Sequence, residues 1–346
     1  MIAARDAADR VAETISSRHF LLGEQLKNSE FAIANENNDE DSEIGGNSDA
    51  LVYVSYCIGC TFGRWDFRYA TGMNEVSLND DPFAALPRIA PGAWVGGLDG
   101  FPLFLVDDET HEMDSLAKIR YVMSEIWGDR AEQVEIEACE LLNVRSLRDY
   151  FGKPNGFFAD HLAMYSRSRR QAPIYWPLST KSGSLTVWVY YHRLDQNTLP
   201  RLITEVLDPK LRQINEQLAS MAGQSRGTER RLELEALALE VSEMKTAFQG
   251  LIDRGYRPNL NDGVLITACP LSDYFRLPKW QKELKTCWKE LERGDYDWAH
   301  LAMSMWPERV LKACAKDRSI AIAHGREDLC PAEAPRASRG RRNKST

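Results

Sequence analysis

The sequence predicts an α+β fold that is mostly helical, with a small mixed or antiparallel sheet and a long antiparallel helical hairpin. Apolar residues between positions 206 and 252 recur at alternating steps of three and four, which is the spacing of helices that pack along one seam. Residues 184–191 (Ser-Leu-Thr-Val-Trp-Val-Tyr-Tyr) have the strongest β-propensity in the chain. A chain of 346 residues is also long enough to bury a sizeable core.

The first part of the chain divides into a polar segment and the start of a folded region. Residues 1–31 can form a helix, but residues 35–49 are mostly acidic, amide or small and have almost nothing to bury, so they predict a solvated linker. Residues 51–62 are rich in aromatic, β-branched and small side chains, which indicates a buried element. Apolar residues at helical spacing predict a helix over residues 115–127.

Helices dominate the second half. Glycines at 223 and 227 supply the turn of the hairpin, and Asp208 followed by Pro209 suits a helix start. Residues 280–293 predict a helix that ends at Gly294, and residues 297–305 predict another that is disturbed at Pro307. The two seams of the hairpin consist of Leu207, Leu211, Ile214, Leu218 and Met221, and of Leu234, Leu237, Val241, Met244, Phe248 and Leu251.

We therefore expect five segments along the chain. They are an N-terminal helix with an acidic linker (1–49), an α+β recognition-type region (50–200), a helical hairpin (201–255), a C-terminal helical subdomain (256–330) and a disordered basic tail (331–346). The hairpin is interpreted as two helices that pack on each other or on the body, and a coiled coil that binds a partner is the alternative.

Composition excludes a membrane-spanning protein. The chain is 43% hydrophobic and 27% charged, and it contains no apolar run of about 18 residues. The first 20 residues lack the apolar stretch of a secretory signal, which predicts a cytoplasmic protein. Seven scattered cysteines agree with a reducing compartment.

The net charge of −8 hides a division within the chain. Residues 1–140 contain 27 acidic and 10 basic side chains, whereas residues 141–346 contain 24 acidic and 33 basic ones. Any surface that binds phosphates should therefore lie in the second part. The window 141–195 is the most informative, because it contains three acids, eight bases and ten aromatic residues.

This basic aromatic window predicts a DNA-binding site. Tyr165 is followed by Arg167, Arg169 and Arg170, whose guanidinium groups can bind phosphates, and flat rings beside arginines suit nucleic acid. In the alternative interpretation the aromatic residues form a core and the arginines a solvated rim. The complete set of predicted DNA-binding residues adds the turn residue Lys181, and also Arg64 and Arg68, which carry less weight because their surroundings are acidic.

Other candidate sites are weaker. Cys57 and Cys60 have the spacing of half a zinc site, but no second pair of ligands lies at a compatible spacing, so we interpret them as buried free thiols. The six histidines form no metal-binding cluster. No catalytic, cofactor-binding or metal-binding residue is predicted in this chain.

Several blocks of the sequence together resemble one family. They are residues 55–66 (Ser-Tyr-Cys-Ile-Gly-Cys-Thr-Phe-Gly-Arg-Trp-Asp), 147–158, 166–176 (Ser-Arg-Ser-Arg-Arg-Gln-Ala-Pro-Ile-Tyr-Trp), 188–193, 296–309 and 320–325. From about residue 53 to 327, the chain resembles the C-terminal portion of the adenine-specific DNA methyltransferases of bacteriophage-exclusion (BREX) defence systems and of related restriction enzyme methylase subunits.

The resemblance implies a phage-defence protein whose complete enzyme transfers a methyl group from S-adenosylmethionine to adenine. Such enzymes hold the flipped adenine with an Asn/Asp/Ser-Pro-Pro-aromatic loop. The nearest string here, Asp81-Pro82-Phe83, lacks the second proline, and no glycine-containing cofactor loop follows a strand. This chain is therefore predicted to bind no cofactor itself.

Three functional hypotheses follow. In the first, the chain is the DNA-recognition and scaffold portion of such a methyltransferase, with double-stranded DNA as its partner and with a separate catalytic segment or other defence-system subunits beside it. In the second, it is a protein-interaction subunit of a defence complex that acts through the helical hairpin. An autonomous methyltransferase is the third.

Overall fold

A computed structural model describes residues 45–65, 67, 102–167, 170–221 and 228–330. The predicted N-terminal helix, most of the acidic linker, the turn at 223–227 and the basic tail lie outside these residues. The helices are α1 (Gly45–Thr61), α2 (Ser115–Trp127), α3 (Ala131–Leu141), α4 (Leu147–Gly152), α5 (Phe157–Met164), α6 (Thr198–Leu202), α7 (Asp208–Ser220), α8 (Thr228–Asp253), α9 (Val264–Ala268), α10 (Pro278–Arg293), α11 (His300–Met305), α12 (Pro307–Cys314) and α13 (Arg318–Ala323).

A small antiparallel sheet lies at the centre of these helices. Its strands are β1 (Phe104–Val106), β4 (Tyr175–Ser179) and β5 (Thr186–Tyr190), in the order β1-β5-β4. A separate two-stranded hairpin consists of β2 (Ser166–Arg167) and β3 (Arg170–Gln171). The predicted α+β class, mostly helical with a small antiparallel sheet, is confirmed.

The strands of the central sheet are buried on both faces, which is why the sequence has a continuous apolar run rather than an alternating one. Trp188 on β5 makes edge contacts with Phe151 and Phe157, whose ring centroids lie 5.7 and 5.6 Å away. On the other face, Trp176 contacts Phe275 at 6.0 Å. Helices α4 and α5 therefore cover one face, and the segment before α10 covers the other.

Helix α1 is the buried element predicted over residues 51–62. It begins at Gly45, so the last five residues of the predicted linker are helical. All its side chains from Tyr53 to Thr61 that the structure describes are buried, and the Tyr53 hydroxyl donates to the Val134 carbonyl of α3 at 3.0 Å. Cys57 and Cys60 lie here as buried free thiols, in agreement with the prediction, and burial raises the pKa of Cys57.

Helices α7 and α8 form the predicted antiparallel hairpin. Lys245, near the end of α8, binds Asp208 at the start of α7 with a nitrogen–oxygen distance of 2.6 Å, which fixes the antiparallel arrangement. The chain is already helical before Asp208, because one turn of π-helix (Ile203–Leu207) joins α6 to α7. Such a turn accommodates Pro209, which has no amide hydrogen to donate.

The C-terminal helices begin and end close to the predicted positions. Helix α10 starts with Pro278 in its first turn and ends at Gly294, whose φ of 96° provides the left-handed cap that an L-residue rarely adopts. The helix predicted over residues 297–305 is shorter, since it begins at His300, and a new helix starts at Pro307. None of the described helices is both long and apolar enough to cross a membrane.

A fully buried imidazole joins α5 to the sheet. The Nε2 atom of His161 accepts hydrogen bonds from the backbone amides of Ile174 and Tyr175, at 3.0 and 3.1 Å. Because Nε2 accepts twice, the ring is neutral and its hydrogen is on Nδ1. Desolvation by burial, and secondly the charge of Arg64, lower the pKa of His161 well below its ordinary value.

The hairpin seam yields a matched pair of substitutions. Val241 is fully buried, whereas Leu239, two positions earlier on α8, is 62% exposed. Val241→Asp is expected to lower the free energy of unfolding by about 4 kcal/mol because it buries an unpaired charge. Leu239→Asp should cost only about 0.5 kcal/mol, from helix propensity. Urea unfolding followed by circular dichroism measures both, and equal midpoints would show that the seam is misplaced.

The buried His161 predicts a pH dependence of stability. Below about pH 6.5 the unfolded chain binds a proton at this histidine that the folded chain does not. Stability should therefore fall with falling pH, at up to about 1.4 kcal/mol per pH unit. His161→Gln removes this contribution, and His111→Gln, at a partly exposed histidine, is the control. The idea fails if urea titrations at pH 7, 6 and 5 give His161→Gln the same pH dependence as the unmodified chain.

Candidate nucleic-acid interface

Two residues predicted to bind DNA from separate parts of the sequence contact each other. The Nη1 atom of Arg64, just after α1, donates to the hydroxyl oxygen of Tyr165 at 2.6 Å, across a separation of 101 residues. The guanidinium also lies over the rings of Trp65 and Tyr165, at 4.6 and 5.8 Å from their centroids. These contacts fix a positive charge beside aromatic rings.

Tyr165 leads directly into the hairpin that carries the predicted arginines. In the backbone register, Arg167 is paired with Arg170 and Ser166 with Gln171. The amide of Ala172 donates to the Tyr165 carbonyl at 3.0 Å, which extends the pairing by one step. The hairpin therefore starts at the Arg64–Tyr165 contact. Arg169 and Arg68 lie outside the described residues, as do the side chains of Arg167 and Arg170.

The buried ring of His161 packs against two tyrosines near this hairpin. Its ring centroid lies 4.6 Å from that of Tyr165 and 4.9 Å from that of Tyr175. The imidazole is therefore placed between the tyrosine that precedes the hairpin and the first residue of β4. The Ser166 hydroxyl also donates to the Leu162 carbonyl of α5, which fixes the first residue of β2.

Further basic groups surround the end of α1. Arg193 donates from Nη1 to the carbonyls of Phe62 and Pro102, at 3.4 and 3.3 Å, and burial lowers the pKa of its guanidinium. Desolvation and the nearby Arg64 charge lower the pKa of His192. Neither Arg193 nor His161 is among the residues predicted from the sequence, although Arg193 ends one of the family-like blocks and His161 lies between two of them.

Most aromatic residues of the basic window belong to the core. Tyr175, Trp176 and Trp188 are fully buried, and Tyr190 and Tyr191 are nearly so. This agrees with the alternative interpretation for the rings. Tyr165 differs, because it is only partly buried. Any stacking on a base in this part of the chain would therefore involve Tyr165 rather than the tryptophans.

The structure does not bring Lys181 to the other predicted residues. It lies in the turn after β4, about 20 Å along the chain from Tyr175 at the rise of an extended strand. Its Nζ atom binds Glu243 of α8 at 2.7 Å, and the neighbouring Ser182 hydroxyl donates to Glu240 at 2.7 Å. These contacts attach the β4–β5 turn to the helical hairpin.

No group of three or more metal-ligating side chains occurs among the residues that the structure describes. A cavity of about 700 Å³ is lined by polar groups that include Arg257 and His300. Asp262 binds the Nδ1 atom of His300 at 2.9 Å, but its two oxygens also accept from the backbone amides of His300 and Leu301. The Asp262 side chain thus caps the N-terminus of α11. The Asp81-Pro82-Phe83 string lies outside the described residues.

No protein family model matches the chain. It is similar to the adenine-specific methyltransferase BrxX of Escherichia coli O9:H4 (strain HS), with 27% identity over 245 residues, which covers 64% of this chain and 20% of BrxX. It is also similar to the adenine-specific methyltransferase PglX of Lacticaseibacillus casei (strain Zhang), with 26% identity over 181 residues, which covers 46% of this chain and 13% of PglX.

The match therefore spans a fifth or less of the length of each relative. Its identity is modest, but it extends over about half to two thirds of this chain. The chain is homologous to the adenine-specific methyltransferases BrxX and PglX, and the resemblance predicted from its sequence blocks is confirmed at this level.

Proposed function

We propose that the chain is the DNA-recognition and scaffold portion of an adenine-specific DNA methyltransferase of phage-defence type, with methyl transfer from S-adenosylmethionine performed by a catalytic segment elsewhere. The contact between Arg64 and Tyr165 carries the proposal, because it joins two predicted DNA-binding segments at the start of one hairpin. Homology to enzymes named as adenine-specific methyltransferases supports DNA as the partner.

The proposed binding surface consists of Arg64, Tyr165 and the hairpin arginines, by which we mean Arg167, Arg169 and Arg170. Guanidinium groups bind phosphate oxygens in a forked, charge-assisted geometry. Arg64 is already oriented by the Tyr165 hydroxyl and by two rings, so little rotamer freedom remains for DNA binding to remove. The buried His161 gives Tyr165 a rigid support.

Replacing the three hairpin arginines with alanine is expected to weaken binding of double-stranded DNA and to flatten its salt dependence. The slope of log K against log salt should fall in magnitude by about 0.9 for each phosphate that is no longer bound, hence by up to about 2.7. Fluorescence anisotropy with a labelled duplex of about 30 base pairs, between about 50 and 200 mM salt, measures this slope.

A matched control removes three arginines that already have partners. Arg201, Arg230 and Arg231 are exposed and bind glutamates one helical turn away, at 2.6, 3.1 and 2.8 Å. Their replacement with alanine changes the net charge equally and should leave the slope almost unchanged. Equal slopes for both triple variants would refute the site. Methyl transfer from labelled S-adenosylmethionine by this chain alone would refute the division of labour.

One observation favours the second hypothesis, a protein-interaction subunit. Leu232 and Leu239 are 60% and 62% exposed and lie two helical turns apart on α8, so they share one face. This face is distinct from the seam, whose residues on α8 are buried or partly buried. If the second hypothesis holds, Leu232→Ser with Leu239→Ser should abolish co-purification of a specific defence-system subunit while the fold and DNA binding are retained. Unchanged co-purification would exclude this face.

A further inference from the structure

Helix α10 presents a row of basic side chains that the predicted site does not include. Its buried side chains are Trp280, Leu284, Cys287 and Leu291. At 100° per residue, its basic residues fall within an arc of about 120° on the opposite side. We call these exposed residues the α10 stripe: Lys279, Lys282, Lys285, Lys289 and Arg293.

Most of the positive charge on the α10 stripe is not neutralised locally. Within the described part of the chain, Lys279, Lys282 and Lys289 make no ion pair. Lys285 binds the exposed Asp273 at 2.9 Å, and Arg293 binds Asp295. In a chain with a net charge of −8, this is a local concentration of cations.

The glutamates of α10 lie outside this arc. Glu290 accepts a hydrogen bond from the Tyr296 hydroxyl at 2.8 Å, and Glu283 is partly buried, which raises its pKa. Counted in the direction of the chain, Glu292 lies about 220° around the helix axis from Lys279, which is just outside the other edge of the arc. The acids therefore border the basic row without interrupting it.

The row continues toward the β4–β5 turn. Asp273, which binds Lys285, lies in the segment before α10, and that segment packs against β4. Arg276 lies against Gly183 of the same turn, and its Nη1 atom donates to the Gly152 carbonyl at 2.8 Å. The β4–β5 turn, which contains Lys181, therefore lies near the start of α10, at the far end of β4 from the hairpin arginines.

We infer that the α10 stripe is a second DNA-binding surface, which contacts the phosphate backbone of one strand independently of base sequence. The stripe extends over about 21 Å of helix, a length along which one strand of a duplex presents about six phosphates. Four of its five cations are lysines, which bind phosphates as mobile point charges and do not read bases by forked hydrogen bonds. This inference extends the proposed function, since both require DNA as the partner.

The test compares Lys279→Ala, Lys282→Ala and Lys289→Ala in one protein with the hairpin arginine variant and with the control triple variant. All three proteins lack three positive charges of the unmodified chain. The affinity of the unmodified chain for DNA should fall as salt is raised from about 50 to 200 mM. In the α10 variant, which lacks three phosphate-binding groups, this fall should be smaller by a factor of up to about 40. The effect should be equal on two duplexes of unrelated sequence, because the stripe binds phosphates and not bases.

The outcomes separate the two proposals. One outcome is that the α10 variant and the control variant give the same slope of log K against log salt while the hairpin variant binds DNA more weakly. In that case the α10 stripe is not a DNA surface and the proposed function stands. If DNA binding is weakened only in the α10 variant, the assignment of the hairpin arginines is wrong and the α10 stripe stands. An unmodified chain that does not bind duplex DNA would refute both. Circular dichroism and thermal unfolding verify that each variant is folded.

Discussion

The buried imidazole of His161 is the constraint on which the candidate site depends. It accepts from two consecutive backbone amides at the start of β4, and its ring contacts Tyr165. A residue that could not accept both bonds would leave buried amides unsatisfied, which costs about 1–3 kcal/mol for each group. The hairpin that carries the arginines connects Tyr165 to β4, so both of its ends are fixed by this one side chain.

The two proposed DNA surfaces lie at opposite ends of β4. Tyr165, which binds Arg64, precedes the hairpin that leads to the start of β4. The turn after the last residue of β4 contains Lys181 and lies against Arg276, just before α10. In the first surface, Arg64 is held by the Tyr165 hydroxyl and by two aromatic rings, whereas the second consists mainly of exposed lysines. This difference suits oriented contact at one end and sequence-independent attraction at the other. Both proposals place the DNA contacts of a net acidic chain where its cations are grouped.

The sequence was sufficient for features that depend on local pattern. Side-chain spacing and backbone preference predict the seam of the helical hairpin, the strand around Trp188 and the end of α10 at Gly294. Features that depend on distant contacts could not be predicted. Nothing near Arg64 indicates its bond to a tyrosine 101 residues away. Proximity in sequence places Lys181 with the hairpin arginines, whereas in the structure strand β4 separates them.

Amide hydrogen exchange with and without duplex DNA tests the central claim most directly, because it locates the bound surface without altering a side chain. In the described residues of this hairpin, β2 and β3 pair over two residues each, so their amides should exchange readily and bound DNA should slow that exchange strongly. We expect slower exchange in peptides that cover residues 62–65 and 165–172, and unchanged exchange in α8. Unchanged exchange in both of those peptides while DNA is demonstrably bound would contradict the account.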